Sequence, residues 1–109
     1  MKLNLLTLIF CIIPSLFFGQ ILEESFDDIT DLESKGWIIS NQSSPTGIID
    51  WFQGNVTVFE SHNGEANAYI AANFNSVDSF GTISNWLISP TVSVRDGDVL
   101  SFWTRTSTN

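Results

Sequence analysis

Hydrophobic positions along the chain follow two patterns, and the first is a solid block near the start. Leu5-Leu6-Thr7-Leu8-Ile9-Phe10-Cys11-Ile12-Ile13 is preceded by Lys2 and closed by Pro14 and a polar break at Gly19-Gln20. A charged start, a short apolar core and a small-residue exit mark an export signal. The block falls short of the roughly 20 apolar residues a membrane span needs, and it lacks the polar face of a surface helix. We therefore divide the chain into a signal-peptide helix, residues 1–19, and a mature region, residues 20–109. The cut after Gly19 leaves Phe17 where signal peptidases prefer a small side chain.

Beyond the signal the pattern changes to short apolar and aromatic runs punctuated by Gly, Asn, Asp, Ser and Pro. Residues 56–60, 68–72, 85–89 and 99–105 are rich in aromatic and β-branched side chains, and residues 37–40 and 50–53 are weaker candidates, each carrying a tryptophan. This punctuation predicts an all-β domain. Asp96-Gly97 predicts a tight reversal. Thr30 and Glu33 stand at capping-box spacing ahead of Gly36, which predicts one or two helical turns.

In residues 99–105, Leu100 and Phe102 fall on one face of a strand and Val99 and Trp103 on the other. A strand apolar on both faces belongs inside a sandwich. Asn109 follows with no further strand to cover that sheet, so the sequence reads as the leading part of a longer domain.

Charge and cysteine content narrow the function classes. The formal net charge is −8, and loss of Lys2 with the signal makes the mature region one unit more negative. Such a balance repels phosphate, which argues against nucleic acid and anionic membrane partners. Cys11 is the only cysteine and lies within the signal. The mature region accordingly has no disulfide framework, and after signal removal no membrane span is expected.

Six short signatures occur in a telling order: Glu24-Ser25-Phe26-Asp27, Gly36-Trp37, Asp50-Trp51, Asn67-Ala68-Tyr69, Asn85-Trp86-Leu87-Ile88-Ser89-Pro90 and Leu100-Ser101-Phe102-Trp103. This order resembles the choice-of-anchor J and cleaved-adhesin domains of secreted proteins of Bacteroidetes-type bacteria, and more distantly the MAM domains of animal cell-surface proteins. The resemblance covers about residues 22–106 and matches only the front part of such a domain. It implies an incomplete jelly-roll β-sandwich of galactose-binding-like type, on a secreted or cell-surface protein. It also implies that Trp37, Trp86 and Trp103 fill the sandwich core, and it points to Asp27 and Asp50, with Glu24, as ligands of a structural Ca²⁺. Read without the resemblance, the acidic residues fit a solvated face equally well. Trp51, which the family pattern constrains least, is the candidate for ligand contact.

Residue types needed for catalysis are sparse. His62 is the only histidine, in a turn-like stretch without nucleophile-elbow or zinc-ligand spacing, and it reads as an exposed loop residue. The sequons Asn41-Gln42-Ser43 and Asn55-Val56-Thr57 read as chance occurrences. The sequence therefore leads to a non-catalytic binding or adhesion module for an extracellular glycan or protein. Its alternative is an accessory segment of a secreted peptidase or glycoside hydrolase whose catalytic part lies elsewhere. Ligand identity and oligomeric state are not written in the sequence.

Overall fold

The structure, a computed structural model, describes residues 21–107, so the expected signal peptide lies outside the described residues. Six strands follow one another: β1 (Ile38–Asn41), β2 (Ser44–Thr46), β3 (Phe52–Gln53), β4 (Ile70–Ala71), β5 (Val77–Thr82) and β6 (Asn85–Ile88). They pair antiparallel as β1·β6, β2·β5 and β3·β4. The only helical segments are two single 3₁₀ turns, Ile29–Asp31 and Phe74–Ser76. The described chain is all-β, and none of its helices is long and apolar enough to cross a membrane.

The first helical turn forms with a different cap from the one the spacing suggests. Asp28 stands at the N-cap, and its carboxylate accepts from the Thr30 amide at 2.9 Å and the Thr30 hydroxyl at 2.6 Å. An ionised side chain two residues before a free amide is a strong cap, and it takes Thr30 away from a capping box with Glu33. Gly36 closes the turn at φ +87°, the left-handed conformation glycine adopts without steric cost. Leu32, between these two signals, is fully buried.

Pairing of β1 with β6 sets Ile38 opposite Ile88, Ile39 opposite Leu87 and Ser40 opposite Trp86. Side chains alternate faces along a strand, so Ile38, Ile88, Ser40 and Trp86 share one face, and Ile39 and Leu87 the other. The first face is open: Ile38 is 56% exposed, Trp86 55% and Ile88 45%. At the far end of the ribbon, the Asn41 amide donates to the carbonyls of Ser76 at 2.8 Å and Ile49 at 3.2 Å. Ser43 and Ser76 are buried beside it, and the Ser43 hydroxyl accepts the Ser84 amide. This polar cluster ties β1, β2, β5 and β6 together without apolar packing.

Two strands escaped the sequence reading for identifiable reasons. β2 contains Pro45, which has no amide to donate and usually argues against a strand. In β5, Val-Asp-Ser-Phe-Gly-Thr shows no clean alternation, and its register with β2 is irregular, with Ser44 opposite Thr82 but Thr46 opposite Val77. The surplus residues of β5 form a bulge around Ser79, which adopts φ 58°. Gly81 is required there, because a Cβ would collide with the Ser44 carbonyl.

Two expected strands are corrected. Residues 56–60 form a turn, with the Val58 amide donating to the Asn55 carbonyl at 3.0 Å. The Asn55 side chain accepts from the Thr57 amide and hydroxyl, a local bond that outcompetes strand pairing. Residues 99–105 take no ladder partner among the described residues. The reversal before them does form, with the Asp98 amide donating to the Arg95 carbonyl at 3.1 Å. Only Gly97 has positive φ there, at +92°, whereas a strand-joining two-residue turn of type I′ needs it at both central positions. The chain turns but does not return along itself as a hairpin.

The interior is correspondingly small. Among the described residues Leu32 and Ala68 are the buried apolar side chains, while Val99, Leu100, Phe102 and Trp103 are 74–87% exposed. Trp86 and Trp103, expected in a sandwich core, are exposed, and Trp37 is half-buried. The reason is geometric: no second layer of described residues lies over the open face of β1·β6.

Candidate functional site

The first strands converge on Gln53 in β3. Its amide nitrogen donates to the carbonyls of Asn67 at 2.6 Å and Phe26 at 2.8 Å, and its amide oxygen accepts the Ile29 amide at 2.9 Å. One side chain thus pins the 26–29 segment to the loop before β4. The sequence reading overlooked Gln53, since a lone glutamine in a short strand carries no pattern. Phe26 is held by Gln53 at φ 56°, a conformation rare for a bulky residue, and its ring meets Trp37 edge to face at 5.8 Å.

Glu24, Asp27 and Asp50 each have a neighbour of their own. Glu24, with its side chain 7% exposed, accepts the Phe26 amide at 2.9 Å and pairs with the Lys35 ammonium at 3.1 Å. Lys35 also pairs with Asp31 at 3.1 Å. Its pKa is raised, first by the hydrogen bond to Glu24 and then by that to Asp31. Asp27 accepts the Ser25 hydroxyl, and Asp50 accepts the Trp51 amide at 2.7 Å. Among the described residues no group of three or more His, Cys, Asp or Glu side chains is gathered to hold a metal ion. As placed, the three carboxylates do not make up the six to eight oxygens that Ca²⁺ requires.

Trp51 is half-buried, and its indole Nε1 is enclosed without a hydrogen-bond partner among the described residues. The exposed aromatic surface lies elsewhere. His62 is exposed, as its loop position suggests, and stacks on Trp103 with ring centroids 3.6 Å apart and planes 21° apart. The Arg105 guanidinium lies 4.8 Å from the centre of the Phe59 ring, and Phe59 stacks in turn on Tyr69 at 4.9 Å. These contacts rest residues 103–105 on the 59–62 loop through aromatic faces in place of a β-ladder.

The loop itself is braced by Tyr69. Its hydroxyl accepts the Asn55 amide and donates to the Asn55 carbonyl, both at 2.8 Å, and lies 3.1 Å from the Phe59 carbonyl. Its ring also crowds Gly54, where a Cβ would overlap it. Each of the two sequons meets a different fate. The Asn41 amide is committed to two carbonyls, whereas Asn55 is exposed.

The molecule thus presents two features able to contact a partner: the open face of β1·β6 and the exposed residues 99–103. No protein-family model, curated protein or solved structure matches the chain.

Proposed function

We propose that the chain is a non-catalytic binding module of adhesin type, acting outside the cell on a protein or glycan. The observation that carries this reading is the row of large apolar side chains left in water: Trp86, Ile38 and Ile88 on the β1·β6 face, and Leu100, Phe102 and Trp103 in the segment after the turn. Contiguous exposed apolar surface of this kind marks sites of macromolecular contact, and tryptophan is among the side chains that dominate binding energy. The aliphatic share of the surface favours a protein partner over a sugar.

Three further strands of reasoning support the proposal. The signal-like block at residues 1–19 fits export. The order of signatures from Glu24 to Trp103 fits the front of a choice-of-anchor J or cleaved-adhesin domain, and with it a jelly-roll sandwich. His62 stacks on Trp103 instead of facing a nucleophile and an orienting acid.

The test is a binding screen of the purified chain on arrays of extracellular proteins and glycans, run beside peptidase and glycosidase assays. Saturable binding without turnover is expected. Turnover of a peptide or glycoside that is abolished by His62→Ala or Asp50→Asn would overturn the proposal.

A further inference from the structure

A cleft of about 160 Å³ opens between the N-terminal segment and the segment after the Gly97 turn. Leu22, Glu24, Phe26 and Trp37 line one side, and Leu100, Ser101 and Phe102 the other. Three aromatic rings and one carboxylate therefore border the same small space. Glu24 is the only charged group on the lining, and its side chain is almost wholly withdrawn from solvent.

The chemistry of that lining selects among ligand classes. An anion would meet Glu24 and a chain of net charge −8, and both repel it. A hard metal ion wants a shell of oxygens, which the aromatic walls do not supply. A neutral apolar group would fill the space but leave Glu24 without a use for its charge. An alkylammonium group satisfies both features: its methyls pack on the rings, its charge is drawn to their π faces, and a poorly solvated carboxylate strengthens the attraction.

Glu24 already shows that it pairs with an ammonium, since Lys35 sits 3.1 Å from its Oε2. The Lys35 side chain is 46% exposed and has a second carboxylate, Asp31, also at 3.1 Å. It keeps a partner when Glu24 turns to another cation.

We infer that this cleft is a binding site for an alkylammonium group of the trimethylammonium type, enclosed by Phe26, Trp37 and Phe102 and neutralised by Glu24. The site is distinct in kind from the open apolar surface, and it does not depend on the macromolecular role argued above.

Calorimetric titration of the full chain with choline chloride, at ionic strength matched with sodium chloride, tests the inference. Saturable one-to-one binding is expected, and the uncharged isostere 3,3-dimethylbutan-1-ol should bind at least ten-fold more weakly. Phe102 is 74% exposed, so Phe102→Ala leaves the fold intact. That variant should weaken choline binding about five-fold, the scale of one cation–π contact. Glu24→Gln should weaken it as well. A parallel arm with phosphatidylcholine vesicles separates sources: binding there too would place the head group on a lipid, and binding of choline alone would make the ligand a free compound. Absence of saturable choline binding overturns the inference. So does equal binding of the neutral isostere, or choline affinity unchanged in both variants.

Discussion

Gln53 shows how much of this structure hangs on single polar side chains. Gln53→Ala would leave the Phe26 and Asn67 carbonyls and the Ile29 amide without their partner, and an unsatisfied buried group costs about 1–3 kcal/mol. Urea unfolding should show a loss of about 3 kcal/mol, and a change within error would contradict this role. Tyr69→Phe keeps the ring against Phe59 and removes the hydroxyl that binds both backbone groups of Asn55. The expected loss is about 1 kcal/mol, read from the same unfolding curves. Neither role was legible in the sequence, because polar side chains that bond across 14 to 27 residues leave no local pattern. Gly36 was legible, since its left-handed conformation follows from residue type and its place after a capping signal.

At the scale of elements, the strands that the sequence located are those with a partner nearby. Residues 85–89 and 37–40 meet as β6 and β1, and 68–72 and 50–53 meet as β4 and β3. Residues 99–105 have the strongest strand composition in the chain and no ladder among the described residues, because propensity describes fitness for a pleated surface and does not supply a neighbour. Amide hydrogen exchange should therefore find residues 99–105 unprotected and Asn85–Ile88 slower by at least ten-fold. Comparable protection in both segments would refute the assignment.

The 3₁₀ turn at Ile29–Asp31 carries the pH dependence. The Asp28 pKa is lowered by the hydroxyl and amide of Thr30, so its contribution is present above the usual aspartate value of about 3.9 and fades as pH falls through the depressed one. The Lys35 pKa is raised, so its contribution is whole below about 10.4 and fades as pH rises through the elevated value. Both groups lie at the surface, where such effects are small. Lys35→Met should be less stable than the natural chain at neutral pH, and the difference should close in alkali. A gap that widens above pH 10.4 or so would reverse the sign of this account.

For the whole molecule, the balance of buried and exposed apolar surface matters more than any one strand. With Leu32 and Ala68 as the buried apolar side chains and four tryptophans at least partly open, little of the hydrophobic surface is spent on internal packing. The remainder is available to a partner, which is the basis for reading the chain as a binding module. All-β character was legible from turn spacing. The openness of the β1·β6 face was not, because the apolar composition of Trp86 and Ile88 is the same whether they are covered from within or from outside. The candidate carboxylates were legible only as residue types, and Glu24 turned out to be engaged with Lys35 and the Phe26 amide.

The most direct test of the binding role is a comparison of the natural chain with Trp86→Ser/Ile88→Ser on the array partner that gives the strongest signal. Both positions are exposed, so the variant should keep its unfolding midpoint while losing affinity at least ten-fold, the scale of a tryptophan anchor. Binding unchanged in a folded variant would contradict the assignment of the β1·β6 face as the contact surface.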